Sequence, residues 1–174
     1  FTKPAEQGGI RVNSKGEKFS ITLLVAPKVP LALANKIKEQ LTALGVEVNI
    51  DQPTDEWKFY DLVTNRRYDM LLNRQNLGNN KDFYPLFHSG QNLNFANFKS
   101  FRTDGLTEAI RKEQDYPSRQ KLLAELSKIV SDEIPVIFIS TPVYSYALDK
   151  NLQGFPVSKL NQHSERLLIL PYLK

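Results

Sequence analysis

The residue types that could do covalent or metal chemistry are few in this chain and badly placed for it. Cysteine is absent, which removes disulfides, thiolate nucleophiles and Cys-ligated zinc or iron–sulfur sites together. His88 and His163 stand far apart, with no local ligand spacing. His88-Ser89 sets a base beside a hydroxyl, but adjacent residues rarely face each other and no orienting acid accompanies them. Asp132-Glu133 follows a helical pattern and reads as a solvated helix end. There is no Gly-x-Ser-x-Gly elbow, phosphate loop, dinucleotide fingerprint or His-Glu-x-x-His. Paired carboxylates of the glycosidase kind would have to come from distant positions. The expectation is a protein with no catalytic residues, no metal and no cofactor.

Chemistry suited to holding a ligand is concentrated between Asn73 and Tyr84. Asn73-Arg74-Gln75-Asn76-Leu77-Gly78-Asn79-Asn80-Lys81-Asp82 supplies amides, a guanidinium and a carboxylate, and Phe83 and Tyr84 follow directly. A few polar groups beside aromatic surface suit a small polar ligand or a peptide backbone. Arg74, Gln75, Asn76, Asp82 and Phe83 are the candidate ligand-binding residues. The plainer reading is a solvated loop followed by a core cluster of Phe83, Tyr84, Phe87, Phe95, Phe98 and Phe101, since large apolar residues are usually buried for packing.

The elements that would position this loop can be read from periodicity. Residues 1–17 are polar and Gly-rich and read as a linker or long turn. Phe19 to Ala26 predicts a strand, with Ile21, Leu23 and Val25 on one face and Leu24 on the other. Pro30 suits the first turn of a helix. Leu33, Ala34, Ile37, Leu41 and Leu44 then recur at helical spacing, and Gly45 stands where a C-terminal cap belongs. Val46, Val48 and Ile50 alternate with Glu47 and Asn49 as in a half-buried strand.

Thr54 is a plausible N-cap, with Asp55 and Glu56 suiting the positive end of a second helix. That helix has Trp57, Tyr60, Phe59, Leu62 and Val63 available for burial. Tyr68 to Leu72 reads as a third strand. Strand–helix–strand–helix–strand forces parallel pairing, so the fold class is α/β with a largely parallel sheet flanked by helices. In such sheets ligands bind beyond the carboxyl ends of the strands, where the loop from Asn73 begins. Further on, helices are expected at Asp104 to about Gln114 and from about Pro117. A strand is expected at Pro135 to Ser140, extended structure at Tyr144 to Leu148, a turn at Asp149-Lys150-Asn151, and a last apolar run at Leu167 to Leu170.

The 174 residues carry 23 Lys+Arg against 19 Asp+Glu, a net charge of +4, with 41% hydrophobic residues. This composition excludes disorder, collagen and coiled coil for the whole chain. The basic residues are scattered, which argues for a solvated surface and against nucleic acid as a partner. The longest apolar run falls far short of the ~20 residues that a membrane helix needs. The chain opens at Phe1-Thr2-Lys3-Pro4 without an initiator Met, and reads as a processed chain or a piece of something longer.

The order of segments resembles a known family. Thr22-Leu23-Leu24, the helix ending Glu39-Gln40-Leu41-Thr42-Ala43-Leu44-Gly45-Val46-Glu47-Val48, and Tyr68-Asp69-Met70 are similar to the C-terminal half of bacterial extracellular solute-binding proteins of family 5. These are dipeptide-, oligopeptide- and nickel-binding receptors of ABC importers. Phe87-His88-Ser89 resembles the family's Phe-x-Ser turn, Asn94-Phe95-Ala96-Asn97-Phe98 its Asn-Phe-x-x-Tyr, and Asp104-Gly105-Leu106-Thr107-Glu108-Ala109 its Asp-x-Leu-x-x-Ala helix start. Arg119 resembles the start of its long helix, Asp132-Glu133-Ile134-Pro135-Val136-Ile137-Phe138 its Asp-x-x-Pro strand, and Arg166 with Tyr172-Leu173-Lys174 its ending.

The resemblance implies one lobe of a type II periplasmic-binding-protein-like clamp. Residues 18–142 would form most of the C-terminal lobe, and 143–174 a tail crossing back to an N-terminal lobe absent from this chain. Thr141 to Tyr144 would then lie near a hinge. The resemblance also implies an extracytoplasmic protein, periplasmic or a cell-surface lipoprotein. It would bind a peptide or small polar solute, with the membrane subunits of an ABC importer as partners. In the family's peptide receptors this loop carries a Trp and then an Asp before an aromatic, and that Asp can pair with a peptide's amino terminus. Asp82-Phe83 resembles that step, while the Trp position falls at about Gln75 or Asn76 and the loop is longer. The competing readings are a freestanding α/β hydrolytic enzyme and a basic nucleic-acid-binding module.

Overall fold

The structure, a computed structural model, describes residues 1–2, 9–75, 82–141, 147, 149 and 151. The chain divides into two compact units, one of Phe1–Asn76 with Ser89–Phe98 and the other of Leu77–His88 with Lys99–Lys174.

The first unit is α/β. Its elements are β1 (Ser20–Val25), α1 (Leu31–Ala43), β2 (Glu47–Asp51), α2 (Glu56–Thr64) and β3 (Met70–Leu72). The sheet has the order β2-β1-β3, and both neighbours of β1 run parallel to it. The register places Leu24 opposite Asp51 and Val25 opposite Leu72, so the carboxyl ends of all three strands share one edge. Because β1 is central and the chain steps first to one side and then to the other, the two crossover helices cover opposite faces. On one face Leu23, Val25, Val46, Val48 and Leu72 pack with Ala34, and Leu33, Ile37 and Leu41 of α1 close over them. On the other, Leu24 and Ala26 meet Phe59 and Val63 of α2. The alternation expected for β1 is thus the division between two cores.

Several boundaries differ from expectation for local reasons. Pro30 is the N-cap of α1 and lies just before its first turn. The cap of α2 is Asp55, whose carboxylate accepts from the Trp57 N–H at 2.9 Å. Thr54 is one residue too early, because the cap oxygen must reach the second or third residue of the helix. Trp57 and Tyr60 are exposed, at 83% and 59%. Phe59 and Val63, four apart, define the buried stripe of α2, and Trp57 falls about opposite it at ~100° per residue. Gly45 takes φ +84 as expected, and the backbone N–H of Arg11 donates to its carbonyl at 2.8 Å. The described part of the opening segment is bridged antiparallel, Thr2 to Val12 and Val12 to Lys18.

Segment 89–98 is held to this unit by Phe95, whose carbonyl accepts from the Tyr68 hydroxyl at 2.9 Å and from Arg66 Nη1 at 2.8 Å. The buried Asn94 side chain closes the same loop, donating to the Phe98 carbonyl at 2.7 Å and accepting from its N–H at 3.0 Å.

The second unit is helical among the described residues: a single turn α3 (Tyr84–Phe87), then α4 (Phe101–Lys112) and α5 (Tyr116–Glu133). Helix α4 starts three residues earlier than the sequence suggested, because Ser100 caps it through the Thr103 N–H at 3.3 Å. That puts Phe101 in the first turn, 99% exposed, rather than in a core. Asp115 caps α5 through the Ser118 N–H at 2.9 Å. Hydrogen bonding from Ser118, by its side chain and then by this backbone N–H, holds the Asp115 carboxyl below its ordinary value.

The buried residues here are Phe87, Leu106, Ile110, Leu126, Ile129 and Val130, with Thr103 and Thr107. Pro135 to Ser140 forms no strand, and Ile137, Phe138 and Ile139 are exposed. An apolar run becomes a strand only where an edge receives it. The Asn151 N–H donates to Asp149 Oδ1 at 2.8 Å, as the expected turn requires. The extended run at 144–148 apart from Ala147, the hinge region from Pro142 onward, and the run at 167–170 lie outside the described residues.

Candidate functional site

The carboxyl edge of the sheet is built from three consecutive connections. The Gln52 amide, just past β2, donates to the carbonyls of Ala26 and Val29 at 3.1 and 2.8 Å. It thereby fastens the turn after β1 to the loop after β2. The Lys28 ammonium meets the Glu56 carboxylate at 2.8 Å, joining that turn to the first turn of α2. The Glu56 hydrogen bond, then its charge, raises Lys28 above the usual lysine range. Trp57 and Tyr60 project from the same end of α2. The backbone at this rim is thus fastened by Gln52, while an indole and a phenol remain open to solvent. This is an arrangement for noncovalent contact, in which a flat apolar face stacks and an ion pair and amide orient.

Arg74 and Gln75 leave the carboxyl end of β3 at this same edge and are exposed. The Asn73 side chain accepts from the Arg74 N–H at 2.8 Å and turns the chain there. Asn76 lies outside the described residues. Asp82 and Phe83 belong to the second unit, where Phe83 precedes α3 and its ring lies 6.4 Å from that of Phe87. The structure therefore divides the four described candidates between the two units, Arg74 and Gln75 in the first and Asp82 and Phe83 in the second.

Asp82 sits at the centre of an ordered group within its unit. Oδ2 accepts from Nε and Nη2 of Arg111 at 2.9 and 2.6 Å, and Oδ1 accepts from the Tyr84 N–H at 3.1 Å. The guanidinium carbon of Arg111 lies 4.1 Å from the Tyr84 ring centre, a cation–π contact. The His88 ring packs 4.4 Å from the same phenol, and its Nε2 stands 3.4 Å from Glu108 Oε1. Partial burial by itself would push the Asp82 carboxyl up. The Arg111 hydrogen bond, the Tyr84 N–H and the charges of Arg111 and Arg119 outweigh it and hold the group below the usual carboxylate range.

Among the described residues no group of three or more His, Asp or Glu is placed to hold a metal ion. No described helix is long and apolar enough to cross a membrane. Sequence reasoning missed Trp57 and Gln52 as rim residues and Arg111 as the partner of Asp82. The helical wheel of α2 carries the signal for Trp57. Arg111 lies 29 positions from Asp82, and no local pattern joins them.

The architecture defines the class first: a small parallel sheet flanked by helices, of the periplasmic-binding-protein kind. No family model matches the sequence, and no curated protein does. Solved structures do. The oligopeptide-binding protein AppA of Bacillus subtilis, in complex with a nonapeptide, is 26% identical with a TM-score of 0.63 over 76% of this chain and 27% of its own. A nickel ABC transporter protein of Bacillus halodurans is 18% identical with a TM-score of 0.60, covering 71% of this chain and 27% of its own. The periplasmic binding protein MelB of Agrobacterium fabrum, in complex with stachyose, is 18% identical with a TM-score of 0.65, covering 77% and 23%. The resemblance to family 5 solute-binding proteins therefore holds in three dimensions. These neighbours are binding proteins, not enzymes, and the chain spans about a quarter of the length of each.

Proposed function

We propose that this chain is a ligand-binding lobe of an extracytoplasmic solute-binding protein, without catalysis of its own, that serves an ABC importer. Residues 18–142 constitute the lobe, and 143–174 return to the remainder of the receptor, which supplies the opposing lobe. The cargo is a peptide or a similar small polar solute, held when two lobes close and exclude water around it. The observation that carries this reading is the carboxyl edge of the sheet, where Gln52 ties the turn after β1 to the loop after β2 beside an exposed Trp57. Its support from outside the chain is the likeness to proteins solved with a nonapeptide and with stachyose. Arg74, Gln75, Asn76, Asp82 and Phe83 are the further contacts assigned to this role.

Trp57 is the single tryptophan, so intrinsic emission reports on the rim directly. Titration with tri- to pentapeptides, nickel–histidine and stachyose is expected to shift Trp57 emission weakly and saturably for the cognate class. Affinity should be far below that of a complete clamp, because one lobe covers only part of a ligand. Tight one-to-one binding by this chain alone would contradict the half-clamp reading. An emission that no solute moves would remove the rim as a binding site.

A further inference from the structure

Ile137, Phe138 and Ile139 are 73%, 75% and 50% exposed, and no other described segment exposes three large apolar residues in a row. A cavity lined by Val130, Ile134, Val136, Ile137 and Phe138 lies open between this run and the end of α5. No backbone hydrogen bond ties residues 136–140 to another described residue. Side chains of β-branched and aromatic type on a backbone with unpaired N–H and C=O groups are a template for a further strand. Pro135 and Pro142 bracket the run. Neither can donate to a ladder, so residues 136–141 are the part free to pair.

The sequence of the run suits a second copy of itself. Ile137-Phe138-Ile139 reads the same in both directions. An antiparallel pair centred on Phe138 therefore sets Phe138 opposite Phe138 and each Ile137 opposite an Ile139, and such cross-strand pairs stabilise a ladder. No charged residue lies between Glu133 and Asp149. The antiparallel sense also keeps Asp132-Glu133 of the two copies at opposite ends, whereas a parallel pair would set these acids side by side. The three exposed side chains present on the order of 400 Å² a copy. Two copies thus bury about 800 Å² before Val136, Ser140 and Thr141 are counted, near the lower limit of a specific interface. The outer edges of the sheet are poorer receivers, since β3 spans only Met70–Leu72 and β2 carries Glu47 and Asp51 at its ends.

We propose that residues 136–141 are a self-association surface, at which two copies of this chain pair as antiparallel strands about a two-fold axis through Phe138. The interface is isologous, the same patch serving on both copies. Ile134, before Pro135, stays outside the pairing. The area makes it a weak, concentration-dependent contact. It stands apart from the solute-binding reading and holds or fails without it.

Sedimentation velocity of the full chain from ~5 to ~500 μM, the range suited to an interface of this size, is expected to show a reversible monomer–dimer equilibrium. Over the same range, amide exchange should slow at alternate positions within 136–140, the mark of a strand ladder rather than of general burial. Phe138→Lys and Phe138→Glu each set like charges opposite one another across the axis, and each should weaken association by roughly tenfold or more. Phe138 is exposed, so both variants are expected to fold as the unmodified chain does. Mixed in equal amounts, the two should associate by roughly tenfold or more over either alone, because the register sets Lys opposite Glu. A chain that stays monomeric throughout would overturn the proposal. So would dimers indifferent to Phe138→Lys, or a mixture that associates no better than its components. Exchange at 136–140 that is slow at every concentration would overturn it too, since an edge within the same chain would then receive the run.

Discussion

The first unit keeps its core on both sides of one strand, whereas the second keeps its core between helices. In β1, Leu23, Leu24 and Val25 are all fully buried, alternate residues serving opposite faces, and each face receives its own helix. In the second unit α4 and α5 bury one stripe each, Leu106 and Ile110 on one and Leu126, Ile129 and Val130 on the other. Outside those stripes it exposes Phe101, Tyr116, Ile137 and Phe138. A central parallel strand satisfies its apolar residues within its own sheet and two helices. A helical pair leaves its outer faces to other surfaces. The rim built on the sheet therefore takes its loop positions from the strands, while the Asp82 group depends on the Arg111 side chain reaching from α4 to the segment that precedes α3.

The sharpest test of this contrast is truncation in each core. Leu24→Ala removes a fully buried side chain packed against Phe59 and Val63 and is expected to cost about 4 kcal/mol. Ile110→Ala, in a core closed by fewer layers, is expected to cost about 2 kcal/mol. Chemical denaturation of the two variants measures both, and an Ile110 loss equal to or above the Leu24 loss would erase the distinction.

The next effect sits where the opening segment clamps the end of α1. Gly45 has φ +84, and a Cβ there would stand 2.7 Å from Arg11 Cγ and 3.0 Å from the Gly9 carbonyl. Gly45→Ala adds the left-handed penalty of a side-chain-bearing residue, about 1–2 kcal/mol, to a contact that must shift. Arg11 also donates from Nε to the Leu44 carbonyl at 2.7 Å. The same substitution should therefore raise amide exchange at Arg11 and Phe19, and unchanged exchange there would mean that the clamp is not formed through Gly45.

How much of this was legible before the structure depends on the range over which each feature is encoded. The alternation in β1, the helical spacing of α1 and the glycine after it are local, and each was readable from a few consecutive residues. The cap of α2 was ambiguous because Thr54 and Asp55 are both good cap residues. Only the geometry of the first turn chooses the one whose oxygen reaches Trp57. Trp57 and Tyr60 were grouped with the burial candidates by composition, whereas their spacing from Phe59 and Val63 sets them apart. Pro135 to Ser140 has the composition of a buried strand, but composition does not encode the edge that would receive it. The site was half legible for the same reason. The loop after β3 was evident from the topology, while the Asp82–Arg111 pair and the Gln52 bridge join residues that no window of sequence brings together.

The smallest effect is expected at the end of α5, and it runs in the stabilising direction. Ile134 closes that helix at φ 48 and ψ 50, the left-handed region, where a β-branched residue is a clear outlier. Its side chain is exposed, so little packing offsets the backbone cost. Asparagine tolerates this region better because its short polar side chain can bond locally. Ile134→Asn is accordingly expected to stabilise the chain by about 0.5–1 kcal/mol. The comparison between the units turns on the sign. If the outer face of the second unit is as weakly used as its exposure indicates, losing an apolar side chain there costs almost nothing and the backbone gain is seen in full. A net loss in thermal or denaturant unfolding would show that Ile134 packs against apolar surface, and that the helical unit closes on itself as thoroughly as the sheet does.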